Sequence, residues 1–456
     1  MKKITQCLLF PELFKKSLQV QFDEPHSSSD GGALLLKAAD QKLQLTYSLT
    51  ACLVERRQAA KVRHTLADLL RQRVYGLASG YADANDAARL VHDPIFKLLL
   101  DRSPIDGPEL SSQPTLSRFE NSVGARDCYR LAFALARSVI ARHQNRLRRK
   151  ARRITIDLDS TAAATHGQQQ LTFFNRHHDT YCYLPLLGFI SFDDEPEQYL
   201  VLAVLRPGNL TEKRDVVGPL RRLLTLVRAA FPQAALNVRL DAGFAAPTMF
   251  AYLESVQRLE YVCGIAGNQV LQRAAEPWLK RAQELAAPQQ AARLYGECRY
   301  RAKSWKKSRR VVIKAEIVHN QRGASKDNPR FVVTNKRQAP KTIYQQAYCS
   351  RGEIENRIKE LQLGMQLDRT SCIRFWANQF RVLLTAAAYA LMQELRLQAQ
   401  PTALARAQVT TLREHLFKLS ARLEQSVRRI VVHLPKSFAY LNEWTRIARR
   451  LGAAPT

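Results

Sequence analysis

The sequence lacks the cysteine pairs and the long apolar runs that mark several classes of protein. Its eight cysteines are scattered, and no two of them form a Cys-x-x-Cys pair. This argues against a zinc site and a disulfide framework, and it favours a reducing compartment. The longest apolar run, from Val382 to Met392, is too short to span a bilayer. The apolar start of the chain breaks at Pro11 without a cleavage site, so we predict a cytoplasmic protein and no membrane partner.

Acidic residues are scarce for a chain of this length, and the imbalance points to a polyanionic partner. The 456 residues include 40 Asp and Glu against 70 Lys and Arg, which gives a formal charge of +30 and a pI of about 10.1. Such a surplus favours nucleic acid. An anionic membrane fits less well, because no basic helix with bulky aromatics on its apolar face is evident. The hydrophobic share of 46% is ample for roughly two to four domains.

Residues 1–150 carry mostly helical patterns, with apolar spacing that predicts helices over 66–80 and 83–101. In the following stretch, SSQPTLSRFENSV, Pro114 suits a first helical turn. The polar residues beside it resemble the start of a DNA-reading helix, or an ordinary polar helix start. The run NRLRRKARR then offers phosphate contacts or a solvated linker. Its central cations are Arg148, Arg149 and Lys150.

At residue 154 the hydrophobic pattern changes from a helical period to a strand period. The alternation in ITIDLDST places Asp157 and Asp159 on the same face of an apolar strand. Acidic side chains there are costly unless they are paired, solvated or bound to a cation. The stretch therefore predicts either a cation site or a strand end with exposed carboxylates.

The elements that follow predict an α/β fold. Strands and helices alternate after a hairpin, with strands over 181–192, 198–208, 235–244 and 260–266 and helices over 213–232 and 246–259. Together with the strand at 154 this order is typical of an RNase H-like mixed sheet with flanking helices. The first and fourth strands are neighbours in that fold, so Asp241, at the end of the fourth strand, is expected beside Asp159.

Residues 267–340 interrupt this alternation and are predicted to form a small basic β-rich insertion. The segment YRAKSWKKSRR sets Trp305 among cations, which suits base stacking beside phosphates, or else a buried Trp with exposed cations. These cations include Lys303, Lys306, Lys307, Arg309 and Arg310. The predicted boundaries are a helical region at 1–150, the first part of the mixed-sheet domain at 151–266, the insertion at 267–340, the second part at 341–396, and an α/β tail at 397–456 with a helix over 411–425.

The stretch YCSRGEIENRIKELQ, from Tyr348 to Gln362, reads as the start of a helix. Ser350 and Glu353 have capping-box spacing. Arg351 and Glu355 lie four residues apart on one helical face, with Tyr348 just before them. The pattern fits a functional Tyr-Arg-Glu edge, or a solvated ion pair at a helix start.

Three acidic positions now stand out: Asp159, Asp241 and Glu355. They lie on two strands and a helix that an RNase H-like sheet would bring to one edge. Such a cluster suits Mg²⁺ or Mn²⁺. Two such ions, about 3.5–4 Å apart, promote phosphodiester chemistry. Asp157 is a further candidate metal ligand.

The chain resembles bacterial insertion-sequence transposases of the DDE type, in the cut-and-paste branch with a Tyr-x-x-Arg-x-x-x-Glu-x(6)-Lys signature. DLDST resembles the family's first motif and selects Asp159 over Asp157. RLDAGF resembles the second motif and selects Asp241.

The third motif is matched in spacing by Tyr348, Arg351 and Glu355. The signature Lys position is occupied by Gln362, and Lys359, one helical turn from Glu355, is a candidate substitute. We expect both residues near the DNA.

The resemblance implies a homodimeric transposase that pairs the terminal inverted repeats of its element on double-stranded DNA. The three carboxylates would hold two Mg²⁺ or Mn²⁺ ions, cleave one strand at each end and transfer the freed 3′-hydroxyl to target DNA. It further implies that residues 1–150 bind DNA and dimerise, that Tyr348 and Arg351 contact phosphates, that Trp305 stacks on a flipped base, and that the protein acts at the bacterial nucleoid. Two alternatives are an RNase H-like nuclease without strand transfer and an inactive DNA-binding descendant.

Overall fold

The structure, a computed structural model, describes residues 8–10, 13, 15–211, 213–285, 292–319 and 325–455. Within these ranges no helix combines the length and the apolar character needed to cross a bilayer. The helices are α1 (Leu34–Leu43), α2 (Leu45–Thr50), α3 (Leu66–Ala78), α4 (Ala87–Leu90), α5 (Pro94–Leu99), α6 (Gln113–Ser122), α7 (Ala125–Arg146), α8 (Val217–Ala230), α9 (Pro247–Ser255), α10 (Gln269–Leu285), α11 (Pro340–Thr342), α12 (Gly352–Lys359), α13 (Phe375–Gln398), α14 (Val409–Leu416) and α15 (Leu441–Arg450).

The strands fall into one large sheet and three small ones. They are β1 (Leu8–Phe10), β2 (Leu18–Val20), β3 (Ser27–Ser28), β4 (Arg153–Ser160), β5 (Ala163–Ala164), β6 (Phe173–Asn175), β7 (Thr180–Tyr183), β8 (Leu186–Phe192), β9 (Tyr199–Val204), β10 (Ala235–Leu240), β11 (Leu259–Ile265), β12 (Ala292–Tyr300), β13 (Arg309–His319), β14 (Ser325–Asp327), β15 (Arg330–Thr334), β16 (Ala421–Gln425) and β17 (Ile430–His433).

The large sheet has nine strands in the order β12-β13-β15-β11-β10-β4-β8-β9, with β14 paired to β13. Strands β4, β10 and β11 run parallel to one another, whereas β8 runs antiparallel to both β4 and β9. Helices α8 and α9 form the crossovers that parallel neighbours require. The predicted α/β fold with a mixed sheet is confirmed, and the predicted neighbours β4 and β10 pair directly.

The segment 267–340, the predicted β-rich insertion, continues this sheet. Strand β15 pairs antiparallel with β11, and β13 pairs with β15 in turn. The backbone groups of β11 would otherwise form an open edge, and side chains at the joint such as Val262, Val312 and Val332 are fully buried. The basic segment is therefore an extension of the sheet that carries Asp241.

Helix α13 forms the centre of the helical layer. It is buried on nearly every face, as expected for a helix that is apolar all round. Its few charges are paired: Glu394 accepts from Arg142 at 2.8 Å, and the side chains of Arg396 and Glu360 form a buried ion pair. These pairs join α13 to α7 and to the end of the segment that carries Glu355, and losing one partner of such a pair is strongly destabilising.

The C-terminal residues pack on the N-terminal region instead of forming a separate tail. Strand β16 pairs with β3, and the backbone N–H groups of Gly31 and Gly32 donate to the carbonyls of Leu419 and Phe417. The predicted helix over 411–425 is wrong in its second half, because α14 ends at Leu416 and β16 takes up the last five residues. The predicted helix over 83–101 is likewise broken in two, before Pro94.

Candidate active site

Asp159 and Asp241 lie at the carboxyl ends of the adjacent parallel strands β4 and β10. The ladder between these strands runs to the pair Asp157–Arg239, and each aspartate follows two residues later. Asp159 Oδ1 accepts from the Ser160 N–H at 2.9 Å, and Asp241 Oδ1 accepts from the Gly243 N–H at 3.0 Å. The side chains are only 12% and 26% exposed. Two carboxylates thus converge in a partly buried place where they need a cation.

Arg351 supplies a cation to both carboxylates. Its Nη2 lies 2.8 Å from Asp159 Oδ2 and 3.6 Å from Asp241 Oδ2. Its Nε is buried and has no hydrogen-bond partner among the described residues. The arginine of the Tyr-Arg-Glu stretch therefore joins the two strand ends, as the expected meeting of these motifs requires.

The segment that carries Arg351 is an irregular helix. A π-helical turn spans Ile343–Tyr348, a 3₁₀ turn spans Cys349–Arg351, and α12 continues from Gly352. The predicted capping box at Ser350 is wrong, because the chain is already helical before it. Ser350 Oγ instead donates to the carbonyl of Gln346 at 2.6 Å.

Glu355 lies on α12 one turn beyond Arg351 and is exposed. Across the described ranges, no three His, Cys, Asp or Glu side chains come together closely enough to hold a metal ion. The structure thus brings Asp159 and Asp241 together through Arg351, with Glu355 outside that contact. The two aspartates still fit a divalent ion, because carboxylate oxygens are the ligands that Mg²⁺ and Mn²⁺ prefer and both face one point. The guanidinium of Arg351 occupies that point.

Asp157 is held in a different way from Asp159. It is fully buried, and both of its oxygens accept from the Arg239 guanidinium, at 2.5 and 2.6 Å. Gln198 Nε2 donates a third bond at 2.8 Å. Burial raises the pKa of the Asp157 carboxyl, and the Arg239 guanidinium and the Gln198 amide oppose that rise. This geometry argues against Asp157 as a metal ligand, because a metal ion would have to displace Arg239 from both oxygens.

Tyr348 lies against the ends of β10 and β11. A Cβ added at Gly264 would sit 2.5 Å from the Tyr348 hydroxyl and 3.1 Å from the backbone N of Ala242, so an alanine here would force the hydroxyl to move. Burial raises the pKa of Tyr348, and the nearby Arg351 opposes the rise. The tyrosine therefore reaches the same strand ends as Arg351.

The two candidates for the signature lysine differ in position. Gln362 Nε2 donates to Thr161 Oγ1 at 2.9 Å and to the Ala162 carbonyl at 3.1 Å, so it lies beside the loop that follows Asp159. Lys359 is exposed on α12. At the signature lysine position, the residue that lies near Asp159 is therefore Gln362, which has an amide in place of an amine.

Trp305 and the arginine nearest to its ring are engaged within the protein. Trp305 is 7% exposed and packs edge-on against Phe250 and Tyr300, which supports the buried alternative and corrects the prediction of a base-stacking side chain. The Arg309 guanidinium lies 4.9 Å from the Trp305 ring and binds Glu254 through two hydrogen bonds. The ring is buried because it fills the gap between α9 and the sheet extension.

Three further cations of that segment, Arg310, Lys307 and Lys306, differ in exposure. Arg310 is bound by Glu297 and by two backbone carbonyls, so it also has a structural role. Lys307 is largely exposed, although its Nζ lies 3.0 Å from Glu254. Lys306 is exposed. Lys306 and Lys307 are therefore placed to meet a phosphate.

The basic run between α7 and β4 remains accessible. Arg148, Arg149 and Lys150 are exposed, and both arginines adopt left-handed backbone conformations in the turn that leads into β4. They therefore form a cationic turn at the start of the strand that carries Asp159.

A second cationic surface was not predicted from the sequence. A cleft of about 1010 Å³ lies between the loop VERRQAAKVRH and the start of α6. Its lining includes the cations Arg56, Arg57, Lys61, Arg63 and Arg118, and the carboxylates Glu55, Glu109 and Asp127. Arg57 is paired with Glu55 and Arg56 with Asp127, whereas Lys61 and Arg63 are exposed. The four cations within eight residues of that loop were the available signal.

Comparison with known proteins connects the chain to a family. Residues 10–456 match the family model described as Transposase DDE domain group 1. Among solved structures, one similar chain is a piggyBac transposase in a cryo-EM structure of its synaptic complex with hairpin DNA. The two chains share 10% identity at a TM-score of 0.44, over 93% of this chain and 82% of that chain. A search of curated proteins finds no match.

Proposed function

This chain belongs to the transposase DDE domain group 1 family, and we propose that it moves a bacterial insertion sequence by cut-and-paste transposition. It would bind the terminal inverted repeats as a homodimer, cleave DNA there and transfer the freed ends to target DNA at the nucleoid. The observation that carries this proposal is the convergence of Asp159, Asp241 and Arg351 at one edge of the sheet. They come from three separate segments that resemble motifs of the family.

The topology of the sheet supports an RNase H-like catalytic core. The spatial order is β9-β8-β4-β10-β11. Strands β4, β8 and β9 form an antiparallel meander, and β10 and β11 join on the other side of β4 and run parallel to it. In an open sheet the carboxyl ends of neighbouring parallel strands are a usual place for a site. We assign residues 151–266 and 341–396 to this core, with 267–340 as its extension.

The proposed catalytic carboxylates are Asp159, Asp241 and Glu355, which would hold Mg²⁺ or Mn²⁺, two ions per site. Divalent ions bound there would supply an activated water or hydroxyl and offset charge on the phosphodiester. The hydrogen bonds from the backbone N–H groups of Ser160 and Gly243 fix one oxygen of each aspartate and leave the other oxygen directed toward Arg351. Glu355 would complete the set from the exposed face of α12.

The proposed DNA contacts follow the cations around this edge. Arg351 and Tyr348 would bind phosphates next to the scissile bond, because an arginine fork suits a phosphate. Gln362 and Lys359 would lie beside them. Lys306, Lys307 and the cationic turn at Arg148, Arg149 and Lys150 would contact the flanking duplex, and the N-terminal cleft would hold DNA farther away.

A cleavage assay on DNA that carries the element's own flanking ends tests the proposal. We expect nicking at the element boundary with Mg²⁺, loss of nicking with EDTA, and loss in Asp241→Ala and Glu355→Gln while both variants still bind the DNA. Normal nicking by Glu355→Gln would remove Glu355 from the site. Cut ends that are never joined to target DNA would identify a nuclease, and binding without cutting in any metal would identify an inactive descendant.

A further inference from the structure

The cation between the two aspartates belongs to the chain itself. Arg351 Nη2 lies within ion-pair distance of both Asp159 and Asp241, in the place where their charges converge. Partly buried carboxylates that face each other need a positive charge there. In the DNA-free protein Arg351 thus meets the requirement that a divalent ion would otherwise meet.

The same guanidinium has a donor that the aspartates do not use. Its Nε is buried without a hydrogen-bond partner among the described residues, so the carboxylates bind one side of the group and leave the Nε–Nη2 fork incomplete. A phosphate with two free oxygens is able to accept from both nitrogens of such a fork at once. A phosphate that reaches the guanidinium would therefore use a donor that the two aspartates leave unused.

The backbone around Arg351 is built for a change of position. The residue ends a 3₁₀ turn between a π-helical turn and α12. Irregular turns of this kind are frequent at functional hinges. The next residue, Gly352, has no atom within 4 Å of the place where a Cβ would sit. The segment therefore has open space on the Gly352 side.

We propose that Arg351 couples DNA binding to metal loading by occupying the cation position between Asp159 and Asp241 until a DNA phosphate binds its guanidinium. This inference rests on the proposed function, and it adds an order of events at the same site. The arginine competes with a divalent ion in the free protein, and DNA removes the competitor. By linkage, DNA and the divalent ion then bind cooperatively.

The first test measures Mn²⁺ binding to the DNA-free protein by electron paramagnetic resonance. Arg351→Gln should bind Mn²⁺ about tenfold more tightly than the wild type, a coupling within the usual range for linked sites. Arg351→Lys keeps the charge and should fall between the two. The matched control Lys341→Gln removes one exposed charge from the same helical segment and should change the affinity far less. Equal affinities in Arg351→Gln and Lys341→Gln would overturn the proposal.

Asp241→Asn in the same titration separates this inference from the proposed function. Loss of Mn²⁺ binding in Asp241→Asn with no gain in Arg351→Gln leaves the metal site standing and overturns the coupling. Unchanged binding in Asp241→Asn, or no binding in any protein, overturns both the metal site and the coupling.

The second test measures binding of a random-sequence DNA duplex in EDTA by fluorescence anisotropy. Asp159→Asn releases Arg351 and should tighten binding about tenfold, and the gain should largely vanish when Arg351→Gln is also present, as a double-mutant cycle reports. A gain of the same size in both backgrounds would show simple removal of negative charge and would overturn the proposal.

Discussion

The buried pair of Asp157 and Arg239 lies directly behind the two proposed catalytic aspartates. Asp157 is fully buried and accepts two bonds from Arg239 and one from Gln198, so replacing it with asparagine keeps the shape and removes the charge. In Asp157→Asn the Arg239 guanidinium stays nearly buried without its counter-ion. We expect the free energy of unfolding to fall by about 3–5 kcal/mol, the usual cost of breaking a buried pair from one side.

Removing both charges should restore most of that loss. In Asp157→Asn with Arg239→Gln, two amides of similar shape face each other and no buried charge is left unpaired. The assay is urea unfolding of the wild type, the two single variants and the double variant, with the slopes compared as well as the midpoints. A double variant as unstable as the sum of the single ones would show that the two residues stabilise the fold independently.

The same double variant decides whether Asp157 serves the metal. If the carboxylate only fixes the register of β4 against β10, the stable double variant retains Mn²⁺ binding and boundary nicking. Asp241→Asn is the control that should lose both. A double variant that is stable but loses Mn²⁺ binding as completely as this control would identify Asp157 as a ligand and refute the reasoning from its contacts.

Three further predictions concern other parts of the molecule. Gly264→Ala pushes the Tyr348 hydroxyl aside and should slow boundary nicking about 10- to 100-fold. Adding Tyr348→Phe removes that hydroxyl and should bring the rate back toward that of Tyr348→Phe alone. If the rate does not recover, the effect of Gly264→Ala does not act through Tyr348. Burial, with two neighbouring arginines, holds the pKa of His143 well below its ordinary value. Its neutral form therefore stabilises the fold above the unfolded pKa of about 6.5, and that contribution should fall by up to about 1.4 kcal/mol per pH unit below it. Urea unfolding at about pH 7.5 and about pH 5.5 should show this loss of unfolding free energy in the wild type and a smaller loss in His143→Phe. Equal losses in the two proteins would show that His143 is not the source of the pH dependence. Lys61→Glu with Arg63→Glu should weaken DNA binding. The slope of log binding constant against log salt concentration should fall by about 0.9 for each DNA phosphate that the cleft no longer neutralises. An unchanged slope would exclude the cleft as a DNA-binding surface.

Strand β4 could be predicted because its apolar and polar residues alternate in the sequence. The alternation does not show which face is buried, because both faces of β4 are covered. The hairpin turn after β8 sets the next neighbour. The aspartates could be placed at one edge because parallel neighbours end together. These features depend on local spacing, which a sequence displays directly.

Other features depend on partners that are distant in the sequence. The register that pairs Asp157 with Arg239 joins residues 82 positions apart. The pairing of β15 with the edge of β11 is not visible in the sequence of either strand. Ser350 has capping-box spacing, but a π-helical turn already precedes it. Trp305 stands among cations in the sequence, yet its ring faces the core.

The strand pair between β3 and β16 has a consequence for synthesis of the protein. Gly32 has no room for a side chain, because a Cβ there would meet the Leu416 carbonyl at 1.6 Å. The N-terminal region therefore closes against residues that the ribosome makes nearly four hundred positions later. A nascent chain cannot finish this part of its fold until residues 416–422 have been synthesised. Any shorter product that ends before α14 lacks the surface on which its own beginning packs.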